Sequence, residues 1–452
     1  MSVKNIEKHS VAYNLLKHWV RFWHHRVFYR KVTYVNRETV PLDKHLIFTP
    51  NHQNALMDAL VIALSFSNQF VFVARSDIFK NKLIAGILYF LKLLPIYRIR
   101  DGYDSLKKNQ MIFDKTMDII HNKNGFVIFP EGNHAGFRRL RSLKKGFARI
   151  AFQAEEASDY LLDMKIIPVG INYNCYENYR SDLLVIFGEA IDVSAFYEAH
   201  KTNPAVAYNL IKNRLAEKMK PLMIQIESEY YDLYHGLRTI YSPMACRRLS
   251  LNPQRLYDRF KAEKKLIALL EAHQAKQPDD FVVMDNHFQR LEKRLSEMGF
   301  THDELAGKKV SLVKFMFIAL TLVVGFPVFV YGYLNHFLSY CIPVLVTKKI
   351  EDPQFHSSFK FVLTMVLFPV TYLLQTIAVR LVFGEGWVVW GYLVSLPISA
   401  ALAWNYSKLF KRFRKNFNYL RHRKKNTPAF KEAMKLWSKI DTWMTARLEE
   451  LS

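Results

Sequence analysis

His52 and Asp58 lie in the stretch TPNHQNALMD, between the apolar runs KHLIF and ALVIAL. Glu131 follows another apolar run, GFVIFP. A buried junction disfavours polar side chains unless each finds a partner. Two readings are open on the first stretch alone. One is a turn in which Asn51 and Asn54 take left-handed or cap positions and His52 is a spectator. The other is a general base with an orienting carboxylate, a role that suits histidine because its unperturbed pKa is about 6.5.

Beyond Glu131, Gly132 permits close backbone approach. His134, Arg138, Arg139, Arg141, Lys144 and Lys145 follow. Clustered arginines suit a phosphate, and the plain alternative is a solvated basic helix start. Between the two stretches, LLPIYRIRDG sets Arg98 and Arg100 on alternate positions of an extended segment, so both can face one way. The alternative there is two surface arginines on an edge strand.

Such residues need a scaffold. The runs HLIFTP, FVFVAR, GFVIFP, IIPVGI and LLVIFG are short, β-branched and aromatic. Between them lie DALVIALSF, NKLIAGILYFLKLL, SLKKNQMIFDKTMDIIHN and LKKGFARIAFQAEEA, all with helical periodicity. The alternation predicts an α/β domain over residues 33–204, a largely parallel or mixed sheet flanked by helices with its reactive groups at strand ends. Residues 1–32 read as a basic amphipathic helix for a lipid interface, with Trp19 and Trp23 on its apolar stripe. The other reading is a first core helix with a solvated basic face. Residues 205–305 read as charged, solvated helices.

Composition shifts sharply after that. Residues 315–334, 361–379 and 387–404 are long apolar runs, and a shorter one spans 336–346. Lys308, Lys309, Lys348 and Lys349 mark their edges, while the turns YLNH and FGEG carry no Lys or Arg. This pattern predicts two transmembrane helical hairpins over 306–407, then a basic cytoplasmic tail over 408–452. The 452 residues carry 64 Lys+Arg against 40 Asp+Glu, a net charge of +24. That balance calls for an anionic partner, and its concentration beside the apolar runs favours an anionic bilayer over nucleic acid. The three cysteines, Cys175, Cys246 and Cys341, form no metal or disulfide spacing. No metal and no cofactor are expected, and a reducing cytosolic face is the simplest setting.

In order, NHQNALMD, PIYRIR, FPEGNH and IIPVGI resemble the blocks of the glycerolipid acyltransferase family, over about residues 40–195. The resemblance implies acyl transfer from acyl-CoA or acyl carrier protein to 1-acyl-glycerol-3-phosphate, giving phosphatidic acid in phospholipid biosynthesis. Glycerol 3-phosphate or dihydroxyacetone phosphate is the alternative acceptor, and a membrane scaffold with a degenerate domain is the non-enzyme alternative. It assigns His52 as base and Asp58 as its partner. Arg98, Glu131, Gly132 and Arg138 or Arg139 would bind the acceptor, with a backbone N–H near Gly132 for the oxyanion. Two departures stand out. Five residues separate His52 from Asp58 where the family pattern has four, and Asn133–His134 replaces the usual Thr-Arg. Fungal-type glycerol-3-phosphate and dihydroxyacetone-phosphate acyltransferases are similar in having the longer spacing and a His shortly after Phe-Pro-Glu-Gly.

Overall fold

A computed structural model describes residues 5–96, 105–306 and 312–451. The chain divides into two compact units, Met1–Gln225 with Lys349–Phe361, and Ile226–Lys348 with Val362–Ser452.

The first unit holds one eight-stranded sheet. Its strands are β1 (Lys31–Val35), β2 (Leu46–Pro50), β3 (Val71–Arg75), β4 (Leu93–Ile96), β5 (Phe126–Val127), β6 (Lys165–Tyr173), β7 (Asp182–Phe187) and β8 (Ile191–Asp192). They run in the order β1-β7-β6-β2-β5-β3-β4, with β8 paired to β6. Strands β6, β2, β5, β3 and β4 are mutually parallel, while β7 and β8 run antiparallel to β6. Ile47 sits centrally, beside Phe126 on one side and Ile166 on the other. Every residue of β2 is buried, as a continuous apolar run in a central parallel strand requires. The helices are α1 (Val11–Phe22), α2 (Ala55–Ser65), α3 (Lys82–Phe90), α4 (Ser105–His121), α5 (Gly146–Glu156), α6 (Tyr197–Thr202) and α7 (Pro204–Met219). The α/β expectation holds. The sequence reading passed over β1 and β8, which are short or polar at alternate positions, while β4 opens the extended segment LLPIYRIRDG.

Helix α1 docks the other way round from a helix with a solvated basic face. The Lys17 ammonium is buried and donates to the carbonyls of Ser67 and Asn68 at 3.2 and 2.6 Å. Arg21 donates to the carbonyls of Leu64 and Phe66 at 2.8 and 3.2 Å, satisfying orphan acceptors at the end of α2. Val11, Leu15, Trp19 and Phe22 face outward, with Val11 and Leu15 each 69% exposed, whereas Trp23 of the expected stripe is buried.

The second unit is helical. It comprises α8 (Tyr231–Arg248), α9 (Leu256–Lys276), α10 (Pro278–Met298), α11 (His302–Leu305), α12 (Leu312–Thr347), α13 (His356–Phe383, whose first turn belongs to the first unit), α14 (Trp387–Lys425) and α15 (Pro428–Leu448). Helices α12, α13 and α14 are long and apolar enough to cross a membrane. Two expectations are corrected here. The first expected hairpin does not turn at Tyr333–His336, because α12 is one continuous helix of 36 residues. The segment holds no glycine, and the Asn335 amide folds back onto the Tyr331 carbonyl at 2.8 Å instead of opening a turn. Nor are residues 408–452 merely a basic tail. Helix α14 continues to Lys425, and α15 buries Leu436, Ile440 and Met444. Tyr241 of α8 donates to Asp441 of α15 at 2.9 Å.

Candidate active site

The parallel strands deliver their polar groups to one edge of the sheet. Asn51, just past β2, prolongs the ladder with its side chain. Its amide donates to the Ile171 carbonyl at 3.2 Å and its oxygen accepts from the Ile171 N–H at 2.6 Å. It thus serves as a buried backbone mimic rather than a turn residue. This fixes the start of the loop that carries His52.

Asp58 lies in the first turn of α2 and is fully buried. Its Oδ2 accepts from His52 Nδ1 at 2.8 Å and from the N–H groups of Gln53 and Asn54 at 2.7 and 2.6 Å. Its Oδ1 accepts from the Tyr173 hydroxyl at 2.7 Å. Burial and the Asp58 carboxylate push the Tyr173 hydroxyl well above its ordinary value, so it stays a donor. The five residues between His52 and Asp58 are absorbed in the turn, which folds back over the carboxylate. The His52 ring stacks on Phe129, with centroids 4.2 Å apart and planes 25° apart. Its Nδ1 is engaged and its side chain is 17% exposed, so Nε2 is the nitrogen left for a ligand.

Glu131 is buried at the end of the segment that follows β5. Its Oε1 accepts from the His52 N–H at 3.4 Å, and its Oε2 accepts from Arg141 Nε at 2.7 Å. Burial pushes the Glu131 carboxyl up, and the Arg141 guanidinium offsets this only in part. Glu131 thereby links the histidine loop to an open cleft of about 720 Å³ lined by Arg75, Glu131, Gly132, Asn133, Arg141, Ser142 and Lys144. Gly132 has φ +76°, a left-handed conformation that side chains rarely adopt. Its own N–H donates to the Phe129 carbonyl at 3.2 Å within the turn.

The expected phosphate arginines separate. Arg138 is buried and donates to the carbonyls of Tyr173 and Asn174 at 2.7 and 3.3 Å, tying its loop to the end of β6. It faces inward, away from the role sequence assigned it, because strand-end carbonyls there need a donor. Arg139 is exposed, stacked over the Phe137 ring at 5.4 Å, and is not part of the cleft lining. Arg98 and Arg100 lie outside the described residues. The cations that line the cleft are Arg75, Arg141 and Lys144. Arg141 and Lys144 stand in the basic run noted above. Arg75 closes the FVFVAR strand, and its position at a strand end was the available signal.

A family model described as Acyltransferase matches residues 31–172, the span that carries His52, Asp58 and Glu131. Residues 31–172 are an acyltransferase domain. Over 172 residues the chain is 26% identical to glycerol-3-phosphate O-acyltransferase 2 of Saccharomyces cerevisiae, covering 36% of this chain and 23% of that protein. It is 26% identical over 130 residues to glycerol-3-phosphate O-acyltransferase 1 of the same yeast, covering 28% of this chain and 17% of that protein. The chain thus spans about a quarter or less of the length of these relatives. The crystal structure of the 1-acyl-sn-glycerophosphate (LPA) acyltransferase PlsC from Thermotoga maritima aligns over 48% of this chain and 78% of that one, at 18% identity and a TM-score of 0.31. Within the acyltransferase domain, Tyr173 is a site residue that sequence reasoning missed. It ends the apolar run of β6, where a tyrosine reads as core.

Proposed function

We propose that this protein moves a fatty acyl group from an acyl thioester to a hydroxyl of a glycerol phosphate, in phospholipid biosynthesis at a membrane. The observation that carries the reading is the His52–Asp58 pair joined through Glu131 to a cleft lined by three cations. A hydroxyl is a poor nucleophile near neutral pH. His52 Nε2 takes its proton as the oxygen attacks the thioester carbonyl. Asp58 holds the ring by Nδ1 and stabilises the imidazolium. The tetrahedral intermediate then collapses, the C–S bond breaks, and the thiolate takes the proton back from His52. Arg75, Arg141 and Lys144 receive the acceptor phosphate. Glu131 spends both oxygens within the protein, so its part is to order the loop.

Glycerol 3-phosphate is the acceptor with specific support. Two yeast relatives carry its name, and the longer His52–Asp58 spacing with His134 after Phe-Pro-Glu-Gly resembles that branch. 1-Acyl-glycerol-3-phosphate is the second reading, the acceptor that the family resemblance implies first. Purified protein given each acceptor with acyl-CoA or acyl carrier protein should form an ester with at least one. Transfer to neither overturns the proposal. For the chain's placement, the support is charge. Lys348, Lys349 and the run from Lys408 to Lys425 flank apolar helices, while the turn 383–386 carries no Lys or Arg. This favours the cytoplasmic face for both the catalytic domain and the basic end of α14.

A further inference from the structure

Residues 349–361 join the long apolar helices α12 and α13, yet they belong to the catalytic unit. Their contacts there are several. Asp352 Oδ2 meets His134 Nε2 at 2.9 Å. The Ser357 hydroxyl donates to Asn54 Oδ1, and the Asn54 N–H in turn donates to Asp58. The Tyr179 hydroxyl donates to the Lys360 carbonyl at 2.9 Å, and Lys360 Nζ donates to the Glu177 carbonyl at 3.1 Å. The His134 ring stands edge-on to His52, with centroids 5.4 Å apart and planes at 86°, and Phe355 walls its other side at 4.8 Å.

The linker therefore touches both histidine–carboxylate pairs, the second directly and the first through Asn54. Resting on the acyltransferase reading above, we infer that Asp352 is a positioning residue for the acceptor site, holding His134 beside the base. A ring this close to His52 is within reach of any acceptor whose hydroxyl sits on that base. With Nε2–H donated to the carboxylate, His134 presents Nδ1 as an acceptor, suited to a second hydroxyl of a glycerol phosphate. Burial pushes the Asp352 carboxyl up, but the hydrogen bonds from His134 and the Gln354 N–H outweigh it and hold the group below its ordinary value.

The competing explanation is structural. Asp352 Oδ1 also accepts from the Gln354 N–H at 3.0 Å, capping the helical turn Pro353–Phe355. Asp352→Asn separates the two roles. Asparagine caps as well as aspartate and keeps the shape. It offers His134 an NH₂ donor in place of a carboxylate, so the imidazole must reverse its tautomer.

The test uses the full-length protein with acyl-CoA and glycerol 3-phosphate, the acceptor that carries a second free hydroxyl. Asp352→Asn should lower kcat/KM for the acceptor roughly 10-fold or more. The KM for acyl-CoA and the melting temperature should stay put. His134→Ala should lose at least as much, and adding Asp352→Asn to it should cost nothing further. A wild-type rate for Asp352→Asn overturns the inference. So does a loss that persists undiminished in the His134→Ala background, or one that comes with a lowered melting temperature. These outcomes leave the proposed function standing. A wild type active only on 1-acyl-glycerol-3-phosphate, which has no second hydroxyl, overturns the inference alone, and one inactive on both acceptors removes that function and the inference together.

Discussion

Asp58 shows why the altered spacing is compatible with a working pair. Its buried carboxylate collects three donors on one oxygen and a tyrosine hydroxyl on the other. Backbone N–H groups from the turn hold the carboxylate in place, so the extra residue lengthens the turn without moving the oxygen from His52. The pair is legible in sequence because histidine, aspartate and their spacing are local. The cations of the cleft are only half legible. Arg138 stands in the same run as Arg141, and nothing local distinguishes the one that turns inward from the one that lines the cleft. Arg75 is about fifty residues before Glu131 in sequence and reaches the cleft only because β3 lies beside β5. A charged hydrogen bond to phosphate contributes roughly 1.5–3 kcal/mol. Arg75→Ala should therefore raise the acceptor's KM about 10-fold or more and leave the KM for acyl-CoA in place. Steady-state kinetics with each substrate varied decides it. A change confined to the acyl donor would move the phosphate site elsewhere.

Among elements, α1 is the instructive case. Its helical periodicity is plain in sequence, but the direction in which it docks is not, since either stripe of an amphipathic helix can meet a protein surface. The choice is set at the end of α2, where Arg21 donates to the Leu64 and Phe66 carbonyls and Lys17 to those of Ser67 and Asn68 just beyond. The apolar stripe is left outward, as an interfacial helix requires. Leu15→Glu with Trp19→Glu should weaken binding of the catalytic unit to anionic vesicles without lowering its melting temperature. Arg21→Ala should do the reverse, lowering stability by about 1–3 kcal/mol. Vesicle co-sedimentation beside a thermal melt reads both. Unchanged vesicle binding by the double glutamate variant would remove α1 from the interface. The short strand β1 was illegible for a related reason. It becomes a strand by pairing with β7, about 150 residues later.

At the scale of the whole molecule, the net charge of +24 and the apolar composition after residue 310 are legible, but the count of helices is not. Proline at 327 and 343 invites a hairpin reading, yet an apolar helix tolerates both, and α12 runs unbroken. Helices α12, α13 and α14 are each long and apolar enough to cross a membrane, and residues 349–361 pack in the catalytic unit. With the native cysteines replaced, Gly384→Cys should react with an impermeant thiol reagent applied to intact cells, and Asn426→Cys should not. External labelling at 426 would contradict the cytoplasmic placement proposed from charge for the basic end of α14. The central claim is that His52 is the base of an acyl transfer, and removing general-base catalysis costs roughly 100- to 10,000-fold. The most direct measurement is ester formation from labelled acyl-CoA and glycerol 3-phosphate or 1-acyl-glycerol-3-phosphate, by wild type and His52→Ala at matched melting temperature. The account predicts product from the wild type and a loss in that range for the variant; near-native turnover by folded His52→Ala would contradict it.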